Sequence, residues 1–507
     1  MVERRAAHGK TPAPASRPKR RRASLTLLFF VVISITALAA IWGTLEHFEY
    51  PPRLLGSYIE RRSLGHHPLV ESIGATSRTL LMTADRGQHG PHRGYPDWAG
   101  AQTAIKTFAR ESPAMHEVLV QSSQELTRAI ATARPGDAIT IAPGTYRIRG
   151  ANSIPVVRPG RPGAEISVRA TAPGLVTLEF EMVEGFHVQA PYWTFENLTI
   201  IGVCENDSAC EHAFHVVGAG AHFVARNNTI MDFNAHLKVN GAGGRFPDHG
   251  RVERNSLTNG RVRSTNNPVT PIDVVGANDW SITDNLIADF IKSGGDETSY
   301  GVFAKGAGER TRIERNVVLC EFLLSGHAGR RIGMSFGGGG TSSDACRDGR
   351  CIVEQAGGVM TSNLVAYCSD QGVYLNKAAT SLLTHNTLID TAGITVRFPE
   401  STAEVSGNLV DGVIVARDGS LLRAEDNIVT ANAWLYLGLH PVRRLMANWA
   451  LLDLAWQTEA PRRSHTADTD HDLCGTSRSS TPTYGAFEDF VRCTDRQAPS
   501  PAATRLR

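Results

Sequence analysis

The sequence has no Cys-x-x-Cys pair and no His-Glu-x-x-His motif, so zinc-finger and zincin-type sites have no support in it. The glycine run 337–340 is not followed by Lys-Ser/Thr, which removes a phosphate-cradling loop. Gly333-Met334-Ser335-Phe336-Gly337 matches a nucleophile elbow in letters only, because glycines follow where a helix is needed. A basic excess is missing from most of the chain. Of 52 Lys/Arg and 50 Asp/Glu, residues 1–24 hold eight bases and one acid, leaving 44 bases against 49 acids in the rest. Such a body has no footprint for nucleic acid, and none is expected as a partner. Charged residues are only 20% of the chain and apolar ones 41%, a mixture too hydrophobic for global disorder.

What is present begins with an export signal. After Arg20, Arg21 and Arg22 comes LTLLFFVVISITALAAIWG, residues 25–43, free of charge. Its length predicts a transmembrane signal anchor with the basic segment 1–24 cytoplasmic and the rest outside a bacterial inner membrane. The alternative is a cleaved signal peptide ending near Ala37-Leu38-Ala39-Ala40, which would leave a secreted or periplasmic protein. The eight cysteines form an even set consistent with disulfides in an oxidising compartment. Spacing suggests the pairs Cys204–Cys210, Cys346–Cys351 and Cys474–Cys493.

Residues 44–116 show no clear period and read as a linker or packing arm. Residues 117–148 read as strand, short amphipathic helix, turn and strand, the helix carrying Leu126, Ile130 and Ala133 on one face. Then an Asn followed by a short apolar run recurs nine times, at Asn197, Asn228, Asn255, Asn285, Asn316, Asn363, Asn386, Asn408 and Asn427. The intervals never fall much below 20 residues and are exceeded irregularly, as coils with loops of different length require. Several short strands per repeat, with no helix between them, predict an all-β fold: a right-handed parallel β-helix over 117–490 with an N-terminal capping helix at 124–133. Stacked asparagines at Asn316 and Asn363 would bring Cys320 and Cys368 within bridging reach. A leucine-rich frame is absent, and propeller blades would need hairpin signals. Residues 481–490 read as a final strand and cap, and 491–507 as a disordered tail.

The pattern ELTRAIATARPGDAITIAPGTY at 125–146, the Asn coils and the closing YGAFE resemble exported β-helix proteins of the chondroitinase B and alginate lyase family of polysaccharide lyases. The resemblance covers roughly residues 115–490 and is mostly architectural. It implies β-elimination on an acidic, uronic-acid polysaccharide, with a Lys base, an Arg one coil on, and a calcium ion. Lys377 and Arg397 match the Lys and Arg. Of the two acids that the family places before the Lys, only Asp370 is present, with Gly372 at the nearer position, which puts calcium in question.

Counted back from the next Asn, a polar stripe runs Asn240, Asp273, Lys305, Asn376 with Lys377, then Arg397, bordered by Arg330 and Arg331. Lys377, Arg397 and Lys305 are the expected catalytic residues, and Asn240, Asp273, Arg331 and Asn376 the expected substrate contacts. A solvated stripe without function is the competing reading. A uronan C5-epimerase, or a membrane-anchored β-helix that binds carbohydrate or serves the envelope without catalysis, is the alternative function. His236, His327 and His385 are scattered and read as loop or core residues.

Overall fold

The computed structural model describes residues 9, 20–87, 92–101, 115–150, 152–338, 340–464 and 471–495. The chain divides into two compact units, Met1–Glu49 and Tyr50–Arg507. The first contains helix α1 (Arg20–Phe48). Here the expected membrane span is corrected: among the described residues no helix is long and apolar enough to cross a membrane. The inner-membrane partner and the single-pass topology fall with that span. Most of the basic segment 1–24 lies outside the described residues.

In the second unit, three long parallel sheets carry 12, 11 and 10 strands, here called A, B and C. Successive coils contribute one strand to each, and the stack forms a right-handed parallel β-helix. Alternation sets the packing. In the strand Gly393–Arg397, Ile394 and Val396 point inward and are fully buried. The early coils are filled by Phe180, Phe186, Phe195, Phe214, Phe223, Trp193 and Trp280, all fully buried.

At the corner between sheets A and B, eight asparagines form a ladder from Asn228 to Asn427. From Asn255 onward each Oδ1 accepts from the backbone N–H and the Nδ2 of the preceding rung. The residue before each ladder Asn is left-handed, as at Asn227, Asp284 and Asp426. Asn197 is this left-handed corner residue itself, with φ 61°. Leu198 occupies the ladder position, and its N–H donates to Asn228 Oδ1 at 3.0 Å.

Helix α4 (Ser123–Thr132) covers the open N-terminal end. Ser122 caps it by accepting from Glu125 N, and Leu126 and Ile130 are fully buried beneath it. Residues 44–116 are more structured than their irregular pattern suggests: α2 (Pro52–Ser63) and α3 (Pro68–Arg86) form a hairpin against the β-helix. A buried charge network fixes it there. Arg53 reaches Asp85 at 2.6 Å, Asp390 at 2.9 Å and Cys368 O at 2.7 Å, all out of solvent. Arg86 bonds Glu321 at 2.9 Å, and Arg443 bonds Asp411 at 2.5 Å.

All eight cysteines are paired, as Cys204–Cys210, Cys320–Cys368, Cys346–Cys351 and Cys474–Cys493. Residues 481–490 form no strand; they dock as a loop, with Gly485 N donating to Gly407 O and Phe487 buried. Helix α5 (Asn432–Tyr436) packs Leu435 on Val413 and Val415 at the C-terminal end of sheet C. Helix α6 (Val491–Asp495) opens the expected tail, and residues 496–507 lie outside the described residues.

Candidate functional site

The register of sheet C aligns one row across eight coils: His187, His215 and Lys238, which are half-buried, and Asp273, Phe303, Ser335, Tyr374 and Thr395, which are buried. The adjacent inward row, from Val188 through Val216, Val239 and Val274 to Val396, is fully buried and fixes that register. Two positions further along the strands, Val275 pairs with Lys305, and Asn376 with Arg397. Rungs of a parallel sheet lie about 4.8 Å apart, so the eight-coil row is roughly 34 Å long.

The N-terminal part of the face holds the densest cluster of ionisable groups. Glu184 Oε2 lies 2.6 Å from His187 Nδ1 and its Oε1 lies 2.7 Å from His215 Nδ1, while His215 Nε2 lies 2.7 Å from Asn240 Oδ1. Lys238 Nζ meets Asp273 Oδ2 at 2.5 Å. Burial pushes the Glu184 carboxyl up, but hydrogen bonds and charge from His187 and His215 outweigh it and hold the group well below the usual carboxylate range. Asp273 behaves alike: burial raises it, and Lys238 and Lys305 bring it below its ordinary value. Burial first, then His215 and Lys238, push His212 down to about 4.

Toward the middle, Tyr300 and Phe303 stack with centroids 4.5 Å apart, and Lys305 Nζ lies 4.6 Å from the Phe303 centroid. The insertion after Phe336 closes over this platform. A Cβ on Gly338 would fall 1.9 Å from the Phe303 ring, a close approach that only glycine permits. The same insertion is pinned by Arg347, which bonds Asp248 at 2.6 and 2.9 Å, and by Cys346–Cys351. Ser335 is buried with Oγ against the carbonyls of Gly337 and Tyr374, so the elbow-like motif presents no accessible nucleophile.

The stripe expected from sequence is partly assembled here. Asn240, Asp273, Lys305, Asn376 and Arg397 all belong to sheet C. Lys377 does not continue the strand. It sits at a left-handed corner with φ 58°, its N–H toward Arg397 O at 3.5 Å and its carbonyl accepting from Glu354 N at 2.8 Å. The in-register partner of Arg397 is Asn376. Arg397 is ion-paired with Asp418, lies over Phe398 at 4.5 Å, and has Nη1 3.5 Å from Tyr374 Oη. Arg331 is fully buried, facing Glu321 at 3.4 Å and donating to His327 O, so it belongs to the buried charge network and does not line the exposed face. Asp370 is buried, and burial raises its carboxyl above its ordinary value despite Arg330 nearby. One buried carboxylate of that kind is not a calcium cage.

Sequence reasoning passed over Glu184, His187, His212, His215 and Lys238. The available signal was the repeated Phe-His-Val at 186–188 and 214–216, which sets two imidazoles edge to face on adjacent rungs with centroids 5.0 Å apart.

No protein-family model matches the sequence, and no curated protein matches it. Among solved structures, the chain is similar to pectate lyase Pel9A, at 16% identity and TM-score 0.49 over 75% of this chain and 98% of that one. It is similar to an alginate lyase from Paenibacillus sp. str. FPU-7, at 12% identity and TM-score 0.37 over 61% of this chain and 100% of that one. It is also similar to a rhamnogalacturonan lyase, at 14% identity and TM-score 0.37 over 60% and 81%. These neighbours differ in substrate and point to no single family. The chemistry of the site rests on this chain's own residues.

Proposed function

We propose that this is an exported β-helix protein that binds an acidic polysaccharide lengthwise along sheet C. The observation that carries the reading is the line of half-buried polar groups on sheet C, with His187, His215 and Lys238 in register and Lys305 and Arg397 beyond them. A periodic polymer is matched by groups repeating at the coil spacing, and the cations Lys238, Lys305 and Arg397 suit carboxylates along it. The four disulfides fit an oxidising compartment outside the cytoplasm.

Binding fits this face better than elimination does. Proton abstraction by a lysine needs an amine free of a carboxylate partner, whereas Lys238 is held by Asp273 and the register sets Asn376, not Lys377, beside Arg397. One contact favours the lyase reading as a second possibility: Tyr374 Oη next to the Arg397 guanidinium places a proton-transfer group beside a carboxylate clamp.

The test is to incubate the full chain with alginate, dermatan-type chains and other acidic polysaccharides, measuring binding by calorimetry and unsaturated uronate ends by ultraviolet absorbance. We expect binding, weakened about 10-fold or more in Lys238→Ala and in Lys305→Ala, the loss of a charge-assisted contact worth ~1.5–3 kcal/mol. Absence of binding to every chain, or binding indifferent to both variants, rejects the proposal. New absorbance lost in Lys377→Ala and Arg397→Ala replaces it with the lyase reading, and absorbance retained in both moves the chemistry to Lys305 with Asp273.

A further inference from the structure

We propose that Glu184, His187 and His215 form a binding site for a zinc-type divalent cation on the outer face of sheet C. The proposal is independent of polysaccharide binding. Their ligand atoms, one carboxylate oxygen and two imidazole nitrogens, all lie within 4.8 Å of one another. The β-helix makes the site by stacking: His187 pairs in register with His215, and Glu184 with His212, so adjacent rungs supply all the donors.

The hydrogen bonds around His215 argue for a cation. Asn240 Nδ2 donates to Gly241 O at 3.0 Å, which turns Oδ1 toward His215 Nε2 at 2.7 Å. An amide oxygen only accepts, so Nε2 carries a hydrogen. In the neutral ring, Nδ1 is then a lone pair aimed at Glu184 Oε1 from 2.7 Å. Two lone pairs do not face each other at that distance unless a cation lies between them. That cation is either a proton, giving an imidazolium, or a metal ion. Two imidazoles converging on one carboxylate favour the metal, since a single divalent ion satisfies all three groups. Asn240 then plays the part that outer partners play for metal-bound histidines, fixing tautomer and ring orientation.

Donor chemistry selects the class of ion. Calcium takes about six to eight oxygens, and only one carboxylate is offered here. Two imidazoles with a carboxylate suit Zn²⁺ and its first-row neighbours, and three protein ligands leave a coordination position for water or a ligand oxygen. Bonds of ~2.0–2.1 Å in a tetrahedral arrangement put donors about 3.3 Å apart, so the rings would draw back from Glu184 by roughly 0.6 Å. His187 and His215 are half-buried, which leaves them room for that movement.

The experiment uses the full chain, stripped with a chelator, dialysed, and titrated with Zn²⁺ and with Co²⁺ as a spectroscopic probe. We expect one equivalent bound, with a visible Co²⁺ spectrum of nitrogen and oxygen ligation that excess Ca²⁺ does not abolish. His187→Ala and His215→Ala should each abolish this equivalent, and Asn240→Ala should weaken it about 10–100-fold, as loss of an outer partner does. A parent chain that takes up neither ion, or an equivalent that survives in the His187→Ala/His215→Ala double variant, overturns the proposal. The parent titration needs no variant, so a folding defect in any substitution does not remove the test.

Discussion

Replacing Asn316 with Ala should destabilise the β-helix more than the same change at Asn427, although both belong to one ladder. Asn316 is fully buried in mid-stack. Its Oδ1 accepts from Asn285 N at 3.0 Å and Asn285 Nδ2 at 2.9 Å, and its Nδ2 donates to Ile282 O at 2.9 Å. After the change, Asn285 Nδ2 keeps its bond to Val252 O and the Ile282 carbonyl keeps its place in the sheet A ladder, but the Asn285 N–H is left without a partner. A stranded buried group costs about 1–3 kcal/mol, and that is the expected loss. Asn427 makes analogous bonds to Asn408 and Val405 but is half-buried on the last rung, where water can replace them. Its loss should be about 1 kcal/mol, the net worth of an ordinary hydrogen bond. Hydrogen exchange followed by mass spectrometry should show protection lost around 282–319 in Asn316→Ala and confined to the last coils in Asn427→Ala. Asn316→Asp, nearly isosteric, should also destabilise, because it removes the donor to Ile282 O. Equal costs at the two positions, or a harmless Asn316→Asp, would refute the account of the ladder as satisfied backbone polarity.

Two further predictions concern the docked segments. Arg53→Met should leave Asp85 and Asp390 buried with less compensation, at a cost of about 3–5 kcal/mol, and release the α2–α3 hairpin. Faster trypsin cleavage at Arg61 and Arg62 reads this, and adding Asp85→Asn should restore part of the protection; unchanged cleavage in Arg53→Met contradicts it. Burial pushes the Asp411 carboxyl up, but Arg443 and His440 outweigh it and hold it at about 2, against an ordinary 3.8. A depressed carboxylate adds stability above its unfolded value that is lost as pH falls through the folded one, so about 2 kcal/mol should disappear between roughly pH 4 and pH 2. An acid unfolding curve for Asp411→Asn as steep in that window as the parent's would contradict this assignment.

The coil pattern was legible because a buried amide is an uncommon thing to repeat, and eight of the nine asparagines do stack. Asn197 was placed one position early because two neighbouring sites select the same residue for different reasons. The ladder needs an amide, and the left-handed corner before it tolerates Asn better than most side chains. The α2–α3 hairpin was not legible as two packed helices because its deepest contacts are ionic. Arg53 and Asp85 are fully buried where an apolar stripe would have shown the 3.6-residue period. The polar stripe was displaced along the strands for a related reason. Counting back from the next Asn assumes corners of equal length, and the corners of this chain vary. Register is set instead by the inward row. Aligning the strands on Val188, Val216, Val239, Val274, Ala304, Phe336, Leu375 and Val396 places His187, His215, Lys238, Asp273, Phe303, Ser335, Tyr374 and Thr395 immediately before them. In a β-helix, the residues that face a ligand are therefore best located by the apolar residues that face away from it.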